Sequence, residues 1–118
     1  MSRFSIQTLN NISSVGVKRL PEKRYTVAND VAAPDAILVR SQKMHDLPIP
    51  ESVRAIGRAG AGTDNIPVAK LSARGVPVFN APGANANAVN ELVLTALLLA
   101  SRNLVPALNF VRDMPESD

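Results

Sequence analysis

The chain has 118 residues, the size of one domain or of part of a larger protein, and too few for two ordinary domains. Its 13 Lys and Arg against 10 Asp and Glu leave a net charge of +3 with no concentrated basic block, and Phe4, Tyr25, Phe79 and Phe110 are its only aromatics. Nucleic acid is therefore not an expected partner, for both the basic footprint and the stacking platform are lacking. The absence of cysteine removes disulfides, thiol nucleophiles and cysteine-held metals, while a hydrophobic content of 46% suffices for a packed core.

In chain order, short β-type runs alternate with helical or turn-rich stretches, the pattern of an α/β domain with a mostly parallel sheet. Phe4 to Leu9 reads as the first strand and Tyr25 to Ala28 as a weaker second; the N-terminus holds no signal-like apolar stretch. Ala36 to Val39 is a continuous apolar run closed by Arg40 and Ser41, as expected of a strand covered on both faces. His45, the single histidine, reads as an exposed loop residue, since no carboxylate or serine is placed to complete a triad with it. Pro48 to Ser52 could begin a helix, and Arg54 to Gly57 reads as the next strand. Asp64 and Asn65 are expected to cap or turn the chain into a short helix over Pro67 to Arg74, and Val76 to Phe79 follows as the last strand.

Pro82 and Gly83 then open a loop rich in Asn and Ala. Asn87 is expected to accept from the free N–H groups of the following turn, with Glu91 near that positive end, so that a long helix starts there. From Leu92 to Ala100 the helix is apolar all round and should be covered on more than one side, by another domain or another subunit. This segment is far short of the roughly 20 residues that span a bilayer. A soluble, cytoplasmic protein with no membrane partner is the expectation.

Two strand ends place positive charge and backbone donors where open α/β sheets bind ligands. Arg40 and Ser41 follow one strand, and Arg58 to Asn65 follow the next. Two guanidinium groups can grip a carboxylate or phosphate in bidentate fashion, and Gly60 and Gly62, without side chains, let an anion approach the N–H groups of residues 59 to 62. A small anion is the natural guest. The same residues also suit a surface ion pair and a plain Gly-x-Gly turn, and residue chemistry alone leaves both readings open. Gly60-Ala61-Gly62 is not a dinucleotide fingerprint, because the third Gly and an immediate apolar helix are lacking.

Three motifs in order, Ala36-Ile-Leu-Val-Arg-Ser41, Ala55-Ile-Gly-Arg-Ala-Gly-Ala-Gly-Thr-Asp-Asn-Ile66 and Gly75-Val-Pro-Val-Phe-Asn-Ala-Pro-Gly-Ala-Asn-Ala-Asn-Ala-Val-Asn-Glu-Leu92, closely resemble the D-isomer-specific 2-hydroxyacid dehydrogenases. Within that family the likeness is greatest to members that oxidise 3-phosphoglycerate to 3-phosphohydroxypyruvate with NAD at the start of serine biosynthesis. It runs from about Asp35 to Asn103, with a weaker likeness from Phe4 to Leu20. The resemblance implies a flavodoxin-like substrate-binding domain over residues 1–88 and, over 89–118, an inter-domain helix that would lead into a dinucleotide-binding domain. It places the Gly-x-Gly-x-x-Gly loop, the acidic ribose-binding residue and the catalytic Arg, Glu and His outside these 118 residues. The chain would then supply no catalytic residue and no metal ligand, and would be inactive alone, as part of a homodimeric NAD-dependent enzyme.

By the same resemblance Arg40, Ser41 and Arg58 would hold the substrate's phosphate or carboxylate, and the backbone of Ala59, Gly60 and Ala61 would bind the carboxylate. Asn85 would line the substrate side, and Ala61 and Val89 would face the cofactor. Ala61 stands where some members have Thr or Ser near the nicotinamide, and Asn90 where relatives often have Ala. Another D-2-hydroxyacid dehydrogenase, or a non-catalytic anion-binding module, are the alternative readings.

Overall fold

Five strands form one all-parallel sheet in the computed structural model, which describes residues 3–115. They are β1 (Phe4–Leu9), β2 (Tyr25–Ala28), β3 (Ala36–Val39), β4 (Ala55–Arg58) and β5 (Val78–Phe79), in the order β2-β1-β3-β4-β5. This is the flavodoxin-like order, in which the chain first builds outward from β1 in one direction and then resumes on its other side, so the reversal falls between β1 and β3. The register sets Leu9 beside Val39 and Val39 beside Arg58, so three strands end in line. These strands lie in the unit up to Ala84; the chain from Asn85 onward forms a second unit.

Side chains alternate across a strand, and paired residues of parallel neighbours share a face. Ile37, Val39 and Ile56 therefore point one way, where they meet Met44, Val53, Ile66, Leu71 and Val76 in the core. Burial of β3 alternates accordingly, with Ile37 and Val39 buried and Ala36 and Leu38 only half-buried, so the expected cover on both faces is not found. On the other face Ile6 and Thr8 are buried, but Phe4 is 40% and Phe79 62% exposed. An apolar run of four residues is legible as a strand, yet its composition does not reveal how many layers pack on it.

Two expected boundaries move for proline reasons. Pro48 to Ser52 forms turns rather than a helix, because Pro48 and Pro50 lack N–H groups and push the residues before them out of the α region. Val53 N–H closes that turn on the Pro50 carbonyl at 3.2 Å, and Val53 drops into the core. The last strand begins at Val78 rather than Val76, since Val76 N–H is taken by the preceding helix and Pro77 has none to give, although the Pro77 carbonyl accepts from Ile56 N–H at 3.0 Å. β4 sits one residue later than the expected Arg54 to Gly57. A single turn of helix, α1 (Ser14–Val17), was not expected from the sequence.

The short helix α2 (Val68–Ala73) forms where Pro67 to Arg74 predicted it. It ends in a Schellman arrangement: Val76 N–H donates to the Leu71 carbonyl and Gly75 N–H to the Ser72 carbonyl, both at 2.9 Å, while Leu71 and Val76 both lie in the core. Gly75 has φ +71, a conformation that costs an L-residue roughly 1–2 kcal/mol.

The second unit contains α3 (Ala86–Ser101) and α4 (Leu104–Arg112). The N-cap is Asn85 rather than Asn87; Asn87 lies inside the first turn, and its Nδ2 donates to Glu91 Oε1 at 3.0 Å. The two helices are bent by 64° at a break where Asn103 is left-handed (φ 50), and Pro106 in the first turn of α4 could not have continued α3. No residue of either helix is buried, so the cover expected for Leu92 to Ala100 is not supplied within this unit. Among the described residues no single helix is long and apolar enough to cross a membrane.

Gly75→Ala should cost about 1–2 kcal/mol through φ alone, because a Cβ there meets nothing within 4 Å. Urea unfolding of the chain, with a lowered midpoint and an unchanged slope, checks this.

Candidate functional site

The loops that follow β1, β3, β4 and β5 leave the carboxyl edge of the sheet together, and ligands of open α/β sheets bind outside that edge, at the point where strand order reverses. Arg40 is exposed, one residue beyond the Val39–Arg58 pair, so the two arginines stem from adjacent strand ends. Among the described residues the one ion pair joins Arg112 to Asp113. Neither Arg40 nor Arg58 has a carboxylate partner there, and the surface ion-pair reading loses its support.

Arg58 folds back over its own loop. Its Nη1 donates to the Ala59 carbonyl at 3.1 Å, and its Nε is buried with no acceptor. The guanidinium fills the space that a side chain at residue 60 would need: a Cβ on Gly60 would overlap Arg58 Nη1. Gly60 also has φ +152, which side chains rarely adopt, so glycine is required here twice over.

The neighbouring loops fasten this turn. Ala81 N–H donates to the Gly60 carbonyl at 2.9 Å and Asn80 Nδ2 to the Ala61 carbonyl at 2.8 Å. Ala59 N–H is committed to the Val39 carbonyl and Gly60 N–H to the Arg58 carbonyl. Of the four amides expected to face an anion, those of Ala61 and Gly62 make no hydrogen bond to protein among the described residues. Asp64 Oδ1 lies close to Gly62, 3.1 Å from where its Cβ would be, and adds a negative charge at one side of the turn. Beside it is a shallow depression of about 200 Å3, lined in part by Ile12, Arg58, Ala59, Phe79 and Asn80.

The loop carrying Arg40 and Ser41 is gripped from both sides. Asn10, left-handed at φ 66, accepts the N–H of Ser41 at 3.1 Å and of Gln42 at 2.5 Å on its Oδ1. From the other side buried Asn65 donates its Nδ2 to the Gln42 carbonyl at 2.9 Å, and its own carbonyl accepts Met44 N–H at 2.8 Å. Asn65 Oδ1 is left without a donor. Asn65 thus turns the chain, as expected, but Pro67 occupies the cap position of α2, where no side-chain cap bond forms. His45, exposed as expected, holds the Asp64 carbonyl at 2.8 Å through Nε2.

Asn10 escaped the sequence reading. A lone polar residue after a strand carries no signal until the fold shows which loop it faces. Ser41, Ala59, Gly60 and Ala61 all fall in the first unit with the two arginines, whereas Asn85 and Val89 fall in the second. No group of three or more acidic or histidine side chains among the described residues could hold a metal. The residues present do not form a cradle for a dinucleotide pyrophosphate either: Gly62 runs into the turn at Asp64–Ile66, and the six-residue α2 begins only at Val68.

With this geometry in view, the known proteins are informative. The family model for the D-isomer specific 2-hydroxyacid dehydrogenase catalytic domain matches residues 3–108. The chain belongs to this family of NAD(P)-dependent oxidoreductases, whose members bind small acid substrates. It is 34% identical over 93 residues to a D-3-phosphoglycerate dehydrogenase of Archaeoglobus fulgidus, a match covering 76% of this chain and 18% of that protein. An erythronate-4-phosphate dehydrogenase of Salinibacter ruber is 39% identical over 88 residues, covering 73% of this chain and 22% of the relative. A D-3-phosphoglycerate dehydrogenase of Mycobacterium tuberculosis is 42% identical over 76 residues, covering 62% and 14%. The chain thus spans about a fifth of the length of such relatives. In fold it matches an NADPH-dependent glyoxylate/hydroxypyruvate reductase of Sinorhizobium meliloti solved with citrate, with a TM-score of 0.65 and 23% identity over 99% of this chain and 43% of the other.

Gly60→Ala should expel the Arg58 guanidinium and strain the turn, at a cost of about 1–3 kcal/mol. Thermal unfolding reads the loss of stability, and the amide resonances of Ala59 to Gly62 should move while those of β1 and β2 stay in place.

Proposed function

We propose that this chain is the substrate-binding part of a D-3-phosphoglycerate dehydrogenase, with residues 1–88 holding the substrate and 89–118 leading toward a dinucleotide-binding domain. Arg40, Ser41 and Arg58 take the phosphate and carboxylate of 3-phosphoglycerate, with the backbone of Ala59 to Ala61 and the amides of Ala61 and Gly62 beside them. The observation that carries this is a pair of arginines on adjacent strand ends, without acidic partners among the described residues, with two uncommitted amides in the turn that follows Arg58. A buried Nε without an acceptor also costs free energy that an anion reorienting the Arg58 guanidinium would recover.

NAD is the proposed cofactor, and the chemistry it would supply is that of a hydride acceptor. The residues of this chain bind and orient the anionic ends, and the proton of the substrate hydroxyl goes to a base that this chain does not supply. Ala61, in the anion turn, and Val89, in α3, are the positions proposed to face the nicotinamide, and Asn85 is proposed for the substrate side. We further propose a cytoplasmic homodimer for the whole enzyme; the exposed Leu92, Leu97, Leu98 and Phe110 are in keeping with association. A second reading, 4-phosphoerythronate as substrate, is favoured by the erythronate-4-phosphate dehydrogenases among the relatives. Both candidates are 2-hydroxy acids with a phosphate at the far end, so two cations suit either.

The 118-residue chain should bind 3-phosphoglycerate weakly, with a Kd on the order of 1 mM, because an open half-site is screened by water and salt. Amide NMR should show shifts at Arg40, Ser41, Ala61 and Gly62 that vanish in Arg40→Ala or Arg58→Ala; shifts that persist in both variants would refute the assignment. Running glycerate and 4-phosphoerythronate beside it separates the two substrates and shows what the phosphate contributes. The purified chain with NAD and 3-phosphoglycerate should form no NADH above a His45→Ala control. In light scattering its mass should rise with concentration, and Leu98→Glu should suppress the rise.

A further inference from the structure

We propose that Asn10 is a positioning residue for the anion site, and that its neutral amide is a specificity-determining choice; this rests on the reading of the site given above. Asn10 stands at the end of β1 and Ser41 just past the end of β3, on the two sides of the point where strand order reverses. The main-chain ladder between β1 and β3 ends at the Leu9–Val39 pair. Just beyond it the Asn10 side chain ties the two strand ends by accepting both the Ser41 and Gln42 N–H groups on one oxygen.

The grip acts on Arg40 from two directions. The Val39 carbonyl is pinned by Ala59 N–H at 2.8 Å, and the Ser41 N–H is pinned by Asn10 at 3.1 Å, so residue 40 is held between fixed peptides. Gln42 is caught at both ends, by Asn10 on its N–H and by Asn65 on its carbonyl. Arg40, exposed and without a partner among the described residues, thereby leaves the sheet from a rigid base. Asn10 makes these contacts from a left-handed backbone, φ 66, a conformation that Asn tolerates better than most residues.

Charge explains why the residue is an amide. A carboxylate at position 10 would accept the same two N–H groups more strongly. It would also place a full negative charge in contact with the loop that presents Arg40 to an anion, and weaken the positive potential of the crevice. Asn10 supplies the acceptor without the charge.

The test uses the nitrogen-15-labelled 118-residue chain and its Asn10→Gly, Asn10→Asp and Arg40→Ala variants, with amide hydrogen exchange and 3-phosphoglycerate titration as readouts. Glycine keeps φ 66 open but removes the acceptor. Exchange at Ser41 and Gln42 should then quicken about tenfold or more, with β4 and α2 unaffected, and affinity should fall several-fold. Because Asn10 acts through Arg40, Asn10→Gly should add little to the loss already caused by Arg40→Ala. Asn10→Asp should keep Ser41 and Gln42 slow to exchange yet bind the anion more weakly, with the deficit shrinking as salt is raised.

Unchanged exchange in Asn10→Gly, or affinity losses that add fully to those of Arg40→Ala, would overturn the proposal. If Asn10→Gly loses the fold, Asn10→Asp decides alone: affinity equal to the parent chain overturns it. Failure of the parent chain to bind 3-phosphoglycerate at all would bring down the site reading and this inference with it, and the parent titration tells that outcome apart from the others.

Discussion

The pairing of β3 with β4 in a register that sets Val39 beside Arg58 is the constraint on which the other features depend. It puts two arginines on neighbouring strand ends and lets Ala59 N–H close on the Val39 carbonyl, so the glycine turn starts from a fixed point. The same register puts Ile37, Val39 and Ile56 on one face, where they form the floor of the core. A one-residue slip of β4 would move Arg58 to the opposite face and expose Ile56, and a slip of β3 would expose Ile37 and Val39. Core and site therefore stand or fall on one ladder.

The edge of the sheet is organised by side-chain amides more than by charges. Asn10, Asn65 and Asn80 each tie one loop to the next, and His45 adds a fourth tie. Amides and a backbone-bound imidazole can fasten loops without cancelling the field of the arginines, which acidic ties would do. Asp64 is the exception, with its carboxylate close to Gly62. The arrangement leaves Arg40 and Arg58 without acidic partners among the described residues, at an edge where the amides of Ala61 and Gly62 also stay uncommitted.

Packing is uneven across the sheet. One face is sealed by α2 and by residues of the loops around it, while Phe4 and Phe79 stay partly open on the other. Parallel sheets are ordinarily covered on both faces, so the half-open face and the exposed apolar helices α3 and α4 describe surfaces that other protein normally covers in such architectures.

Several features were determined by the sequence itself: the β1, β2 and β3 bounds, α2 with its glycine stop, the α/β class with a mostly parallel sheet, and the motifs carrying Arg40, Arg58 and Gly60. These rest on local causes, namely apolar runs bounded by turn residues, proline and glycine punctuation, and the chemistry of a guanidinium beside a glycine turn. Where proline strips a donor or the helix C-cap claims Val76 N–H, as in the late start of β5, the cause is also local but depends on which partner competes successfully. Tertiary structure decided the rest. That Asn65 clasps Gln42 instead of capping α2, that Ala59 and Gly60 commit their amides inward, and that Asn10 reaches Ser41 follow from which loops the sheet order brings together. Apart from the Gly60 bond to Arg58, which is local, those contacts join residues about 20 to 30 positions apart, and no periodicity or spacing along a single chain encodes such a meeting until the strands have paired.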